Sequence, residues 1–244
     1  MSAAGGRAAA VEPIVALDVP DGASARRLVE ALGDACRFYK VGSQLFTAEG
    51  PAIVRWLRDA ECDVFLDLKF HDIPATMRGG ARSAAALGAR LLTVHASAGV
   101  EGVRAAVEGA GEGCGVLAVT VLTSLDAATL ARTWDRPVGG LSVEAEVLRL
   151  AGIAADAGAH GIVCSGQEVG RVRAAYGDRL APLVPGIRLS GGATHDQARV
   201  ATPASAAADG ARYLVLGRAV TAAPDPAAAM AAVHAELAGV GRAG

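Results

Sequence analysis

The sequence predicts an α/β fold, a closed (β/α)8 TIM barrel, and three observations carry that reading. Short runs rich in Val, Ile and Leu recur eight times along the 244 residues, with alanine-rich amphipathic stretches between them. The chain is 52% hydrophobic but only 4% aromatic, a composition that builds an interior of small aliphatic side chains and suits helices laid closely on a parallel sheet. The glycine fingerprint of a dinucleotide-binding open sheet is missing, because Asp21-Gly22-Ala23-Ser24 follows the first strand without the spaced glycines that cradle a pyrophosphate.

The elements follow in order. Residues 14–19 form the first strand, and Ser24 is placed to cap a helix over 25–32. The second strand, 38–42, leads into a helix over 48–59. The third, 64–70, is followed by Pro74 in the first turn of a helix reaching Leu87, where a missing N–H costs little. Strand 91–95 precedes helix 99–108, and strand 115–122 precedes a stretch, 124–141, expected to hold a short helix and a loop. Helix 143–157, strand 162–164, helix 168–175 and strand 182–187 come next. A polar, glycine-containing segment over 188–202 is longer than an ordinary connection and has the character of a lid. Thr202-Pro203 then opens a short helix ending near Gly210, strand 213–216 is the eighth, and helix 226–237 closes the chain.

At 24.4 kDa this makes one barrel domain over residues 1–244, with 1–10 as a flexible lead-in. A formal charge of -2, from 23 basic and 25 acidic residues, gives no general attraction for nucleic acid or an anionic membrane. No apolar run approaches the roughly 18 residues of a membrane span, and no secretory signal pattern opens the chain. Cys36, Cys62, Cys114 and Cys164 have neither pairing nor metal-ligand spacing, which reads as reduced core residues of a cytoplasmic protein. None of the five histidines pairs with another or with a cysteine at metal spacing, so no metal is expected.

Barrel enzymes carry their chemistry where strands end and loops begin. Polar residues fall at those points almost throughout: Asp18, Lys40, the cluster from Asp67 to Asp72, His95, Thr123-Ser124, Ser165, Arg188 and Gly217-Arg218. The cluster Asp67-Leu68-Lys69-Phe70-His71-Asp72 is the most informative, since it sets three charges at the end of an apolar run. Asp67 and Lys69 alternate with Leu68 and share a face if the strand persists. The bland alternative is an ordinary ion pair, with Asp72 as a helix cap. His71 fits a neutral, hydrogen-bonded supporting role better than a catalytic one. Arg188 with Gly191-Gly192, and Gly217-Arg218, lie after strands seven and eight, where many barrels hold an anion.

The run Asp67-Leu68-Lys69-Phe70-His71-Asp72-Ile73-Pro74-Ala75-Thr76 closely resembles the signature of the orotidine 5'-phosphate decarboxylase family. The resemblance extends in order through Leu17-Asp18, Lys40-Val41-Gly42, Val121-Leu122-Thr123-Ser124, Val163-Cys164-Ser165, Pro185-Gly186-Ile187-Arg188, Asp196-Gln197 and Leu216-Gly217-Arg218. Residues 133–140 depart from the pattern. The resemblance implies a cofactor-free homodimer that decarboxylates orotidine 5'-monophosphate to UMP in de novo pyrimidine biosynthesis. It implies catalytic roles for Lys40, Asp67, Lys69 and Asp72, with Lys69 the proton donor and Asp72 supplied by the neighbouring subunit. It further implies ribose contacts from Asp18, Lys40 and the partner's Thr76, a base contact from Thr123 or Ser124, and a phosphate grip from Gln197, Gly217 and Arg218 near Arg188.

Two rivals share these features. A magnesium-dependent sugar-phosphate decarboxylase or aldolase-type synthase on the same barrel resembles the chain in its Asp-x-Lys-x-x-Asp core, but Ile73-Pro74 with Thr76 favours the nucleotide enzyme. A non-catalytic sensor of phosphate ligands is the other, and it has little reason to keep so costly a set of charges.

Overall fold

A computed structural model describes residues 10–137, 142–189 and 201–240. Eight parallel strands close on themselves in sequence order: β1 (Glu12–Ala16), β2 (Phe38–Gly42), β3 (Asp63–Phe70), β4 (Leu91–His95), β5 (Gly115–Val119), β6 (Gly161–Val163), β7 (Ala181–Val184) and β8 (Tyr213–Leu216). Closure comes from the pairing of β1 with β8, where Glu12 lies opposite Tyr213 and Val15 opposite Leu216. This is the (β/α)8 barrel expected from the sequence.

Strand alternation sorts the side chains into two cores. Ile14, Ala16, Phe38, Phe65, Leu91, Leu117, Leu183, Tyr213 and Val215 fill the barrel interior. Their neighbours, such as Val15, Tyr39, Val64, Leu66, Leu92, Val94 and Leu214, point outward and pack under the helices. The inner positions therefore run from charged residues at the strand starts, through an apolar layer, to charged residues at the strand ends.

The outer layer is α1 (Gly22–Leu32), α2 (Ser43–Glu49), α3 (Pro51–Asp59), α4 (Pro74–Ala86), α5 (Gly99–Ala110), α6 (Ala127–Thr133), α7 (Val143–Asp156), α8 (Val169–Tyr176), α9 (Pro203–Ala208), α10 (Arg218–Thr221) and α11 (Pro226–Val240). Small residues let these helices approach closely. A Cβ on Gly109 of α5 would stand 2.2 Å from the backbone oxygen of Arg78 on α4, so only glycine fits there.

Several boundaries differ from the sequence reading for local reasons. Asp21, not Ser24, caps α1: its carboxylate accepts from the Ser24 N–H at 2.8 Å. The helix expected over 48–59 is two, because Gly50 at φ +60° ends α2 and Pro51 starts α3. β5 and β7 stop earlier than expected, at Val119 and Val184. The short α10 after β8 has no counterpart in the sequence reading. Thr202 does cap α9, in a reciprocal capping box with Ser205.

The strand-start mouth of the barrel is closed by ion pairs. Arg90 Nη1 lies 2.7 Å from Glu12 Oε2 and 2.8 Å from Asp63 Oδ2, and Arg212 also pairs with Glu12. Burial by itself would raise the Glu12 carboxyl, but the two guanidiniums outweigh it and hold the group below its ordinary value. All four cysteines are buried free thiols. Among the described residues no helix is long and apolar enough to cross a membrane.

Candidate active site

The opposite mouth, at the strand ends, holds a line of charges of alternating sign. β2 delivers Lys40 beside Ala16 of β1 and Phe65 of β3, so its long side chain rises through the barrel interior with only 8% of the residue exposed. Lys40 Nζ donates to Asp18 Oδ1 at 2.7 Å and stands 3.6 Å from Asp67 Oδ2. Asp67 Oδ1 in turn accepts from Lys69 Nζ at 2.8 Å. The order is Asp18, Lys40, Asp67, Lys69, with each cation between or beside carboxylates.

Gly42 leaves room for this line. A Cβ at that position would stand 3.0 Å from Lys40 Nζ and 3.1 Å from Asp18 Oδ1.

Asp67 is the most enclosed carboxylate of the set, with 13% of its side chain exposed. Burial pushes its pKa up, yet the charges of Lys40 and Lys69 and the hydrogen bonds from Lys69 and Thr93 outweigh that push and hold it below the usual Asp value. It is therefore a carboxylate at neutral pH, a fixed negative charge between two lysines.

The strand continues to Phe70, but not as a regular ladder. Leu66 pairs with Leu92 and Phe70 with Val94, so β3 advances four residues while β4 advances two. A bulge absorbs the difference, and Lys69 sits at φ +52°, a left-handed conformation costing a non-glycine residue about 1–2 kcal/mol. Asp67 and Lys69 still meet, but through a kinked backbone rather than by regular alternation.

Thr93 holds this irregular segment from the neighbouring strand. Its hydroxyl accepts from the Lys69 N–H at 2.9 Å and donates to Asp67 Oδ1 at 2.8 Å. Reading the sequence for charges missed Thr93. The available signal was a polar residue inside an apolar strand, two positions from Leu91 and so on the same inner face.

A cavity of about 530 Å³ opens above the charges, within the range of small-molecule sites. Asp18, Lys40, Asp67 and Lys69 line one side, and Arg188, Gly217 and Arg218 also face it. A smaller space of about 160 Å³ adjoins it and shares Lys40, Asp67 and Lys69. Its other walls are mostly apolar, from Phe65, Val119, Val121, Leu122, Val163, Leu183 and Val215, with Thr123 among them.

Most of the remaining sequence candidates fall in three groups, while Ser165 is buried and its N–H donates to Glu168 Oε2 at 3.0 Å. Thr123 lines the smaller space, while Ser124 is exposed and lines neither. Asp72 and Thr76 are exposed on the turn into α4 and on its first turn, and they too line neither space. Gln197, Gly191, Gly192 and His195 lie outside the described residues. The residues that flank this segment are described: Ile187 bridges Ala201, and the Arg188 N–H donates to the Ala201 carbonyl at 3.0 Å.

His71 is exposed, with its ring 5.4 Å from that of His95 at the end of β4. Burial lowers the His95 pKa, the nearby His71 and Lys69 lower it further, and Asp67 opposes them, so His95 is neutral at pH 7.

A parallel eight-stranded barrel with alternating lysines and carboxylates at the ends of its first three strands, and arginines after its last two, defines a barrel enzyme built around an anionic small molecule. The chain belongs to the orotidine 5'-phosphate decarboxylase / HUMPS family, whose model matches residues 12–233. It is 56% identical over 224 residues to the orotidine 5'-phosphate decarboxylase of Anaeromyxobacter dehalogenans, an alignment covering 91% of this chain and 96% of that one. The enzyme of the same name from Thermobifida fusca is 51% identical over 224 residues, covering 91% and 94%. Among solved structures, orotidine 5'-phosphate decarboxylase from Lactobacillus acidophilus superposes with a TM-score of 0.83 at 35% identity, covering 93% of this chain and 99% of that one.

Proposed function

We propose that the protein decarboxylates orotidine 5'-monophosphate to UMP in de novo pyrimidine biosynthesis. The observation that carries the reading is the line Asp18, Lys40, Asp67, Lys69 facing a cavity that arginines line as well.

Chemistry follows from that line. Breaking the bond between C6 and its carboxylate releases CO2 and leaves an electron pair on C6. An ammonium fixed beside that carbon stabilises the charge as it forms, and Lys69 is held for this by Asp67. Lys69 then gives its proton to C6 to complete UMP and is reprotonated from water. Asp67 and Lys40 keep the local charge balanced before and after the transfer. Asp18 and Lys40 serve the ribose hydroxyls, Thr123 faces the base, and Arg188, Gln197, Gly217 and Arg218 grip the phosphate. A phosphate gripped away from the reacting carbon supplies binding energy for reaching the transition state.

The working form is a homodimer in which each subunit lends Asp72 and Thr76 to its neighbour. Supporting this, the run from His71 to Thr76 is exposed in the protomer, with Ile73 66% exposed. An exposed isoleucine between two functional polar residues is what a partner surface would cover. Asp72 brought near the substrate carboxylate would extend the alternating line and add repulsion that decarboxylation relieves. Four buried thiols outside any disulfide support placement in the reducing cytoplasm.

The magnesium-dependent rival is disfavoured by the carboxylate on which it depends. Both oxygens of Asp67 face lysines, and Oδ1 already accepts two hydrogen bonds. The deciding experiment follows the ultraviolet absorbance of orotidine 5'-monophosphate with purified protein and EDTA. We expect loss of substrate and formation of UMP at a rate unaffected by the chelator. Absence of turnover, or turnover restored only by magnesium, would overturn the assignment.

A further inference from the structure

We infer that Thr93 is a positioning residue for the decarboxylation, setting Lys69 and Asp67 through one hydroxyl. The inference rests on the proposed roles of those two residues and adds a third that acts through them.

The geometry follows from the bulge. Where β3 takes four residues against two on β4, the backbone between Leu66 and Phe70 loses its regular ladder with β4. An inward N–H stranded there needs an acceptor. The Thr93 hydroxyl supplies it for Lys69 at 2.9 Å, at the residue whose φ is +52°. Having accepted there, the hydroxyl directs its own hydrogen to Asp67 Oδ1 at 2.8 Å, the oxygen that also receives Lys69 Nζ. One fully buried side chain thus fixes the backbone that carries the ammonium and the carboxylate that orients it.

Such a linkage suits chemistry in which the ammonium must stand at a set distance from a carbon. The kinked backbone of Lys69 is held by a bond from another strand, so the side chain departs from a fixed origin. Asp67, pinned through the same oxygen that receives Lys69 Nζ, cannot swing to follow a drifting Lys69. Loss of the hydroxyl releases both at once. Neither the pyrimidine nor the phosphate touches Thr93 in this scheme, so binding is little changed.

The test compares Thr93→Val, which keeps the shape and removes the hydroxyl, with Thr93→Ser, which keeps the hydroxyl. For Thr93→Val we expect kcat to fall on the order of 10²-fold, the scale of small misplacements in catalysis, with KM within about threefold of wild type. Thr93→Ser should restore kcat to within about fivefold of wild type. Circular dichroism confirms folding of each variant, and if Thr93→Val does not fold, Thr93→Ala takes its place. An unchanged kcat without the hydroxyl, a loss confined to KM, or failure of serine to rescue would overturn the inference. So would unfolding of both the valine and alanine variants beside a folded serine variant, since the hydroxyl would then be a stability element. Wild-type enzyme inactive in the same assay would instead count against the decarboxylase reading.

Discussion

Asp67 and Lys69, two residues apart in one strand, meet side chain to side chain at 2.8 Å although the strand bulges there and Lys69 itself takes a left-handed conformation. The contact gives the barrel mouth a fixed ammonium beside a fixed carboxylate. The pair sits where the apolar floor of the barrel ends, so its charges face the cavity instead of bulk solvent.

Replacing Lys69 with alanine removes both the stabilising charge and the proton donor. Turnover is expected to fall at least about 10³-fold, since each contribution alone is commonly worth 10²-fold or more. The fold should persist, because 36% of the Lys69 side chain is exposed and Lys69 belongs to neither apolar core. Steady-state kinetics beside a thermal melt would check this; near-normal turnover would remove Lys69 from the mechanism.

If Asp72 serves the neighbouring subunit, a Lys69→Ala protomer and an Asp72→Ala protomer complement each other. With random exchange, half the dimers are mixed and one of their two sites is intact, so activity should recover to roughly a quarter of wild type. Mixing the inactive variants, verifying exchange by differential tags and assaying the mixture tests this. No recovery after verified exchange would mean that the sites do not cross.

Asp67 makes stability depend on acid in a defined direction. Its folded pKa lies below the ordinary 3.8, so the stability it contributes is complete above that value and fades as pH falls through the folded pKa. Asp67→Asn removes this dependence and leaves Lys40 and Lys69 without the carboxylate between them. The variant should be less stable than wild type by about 3 kcal/mol at pH 7, the lower end for breaking a buried pair. The gap should narrow toward pH 3. Urea midpoints across that range would show it, and a gap constant with pH would refute the account.

Arg218 lines the cavity together with Arg188 and Gly217. Arg218→Ala is expected to raise KM for orotidine 5'-monophosphate on the order of 10²-fold, as loss of a charge-assisted grip does. Orotidine without its phosphate should be turned over at the same low rate by variant and wild type. Equal penalties on both substrates would place Arg218 outside the phosphate site.

Gly42→Ala probes the crowding around the charged line. Its methyl would meet Lys40 Nζ at 3.0 Å and Asp18 Oδ1 at 3.1 Å, so one of them must move. A loss of about tenfold in kcat/KM with an unchanged melt is expected, since only the flexible ends of two side chains are displaced. Unchanged kinetics would show that the Lys40 and Asp18 contact is dispensable.

What the sequence by itself determined was whatever follows from local pattern. Runs such as Phe38–Gly42 and Leu91–His95 could be placed to the residue, because each is mostly apolar, as a buried parallel strand requires, with its polar residues confined to the inner face near the strand end. The polar strand ends were legible for a related reason: a charge directly after such a run has to face a site or a partner, and Asp18, Lys40, Asp67, Lys69 and Arg218 all do face the cavity. Tertiary structure decided the rest. The bulge that turns Lys69 to φ +52° depends on how β3 and β4 register, and no pattern within β3 encodes it. Thr93 acquires its meaning only when β4 lies beside β3, 24 residues away from Lys69 in sequence. Local periodicity says which way a side chain points; which hydroxyl meets which carboxylate is settled by the closing of the barrel.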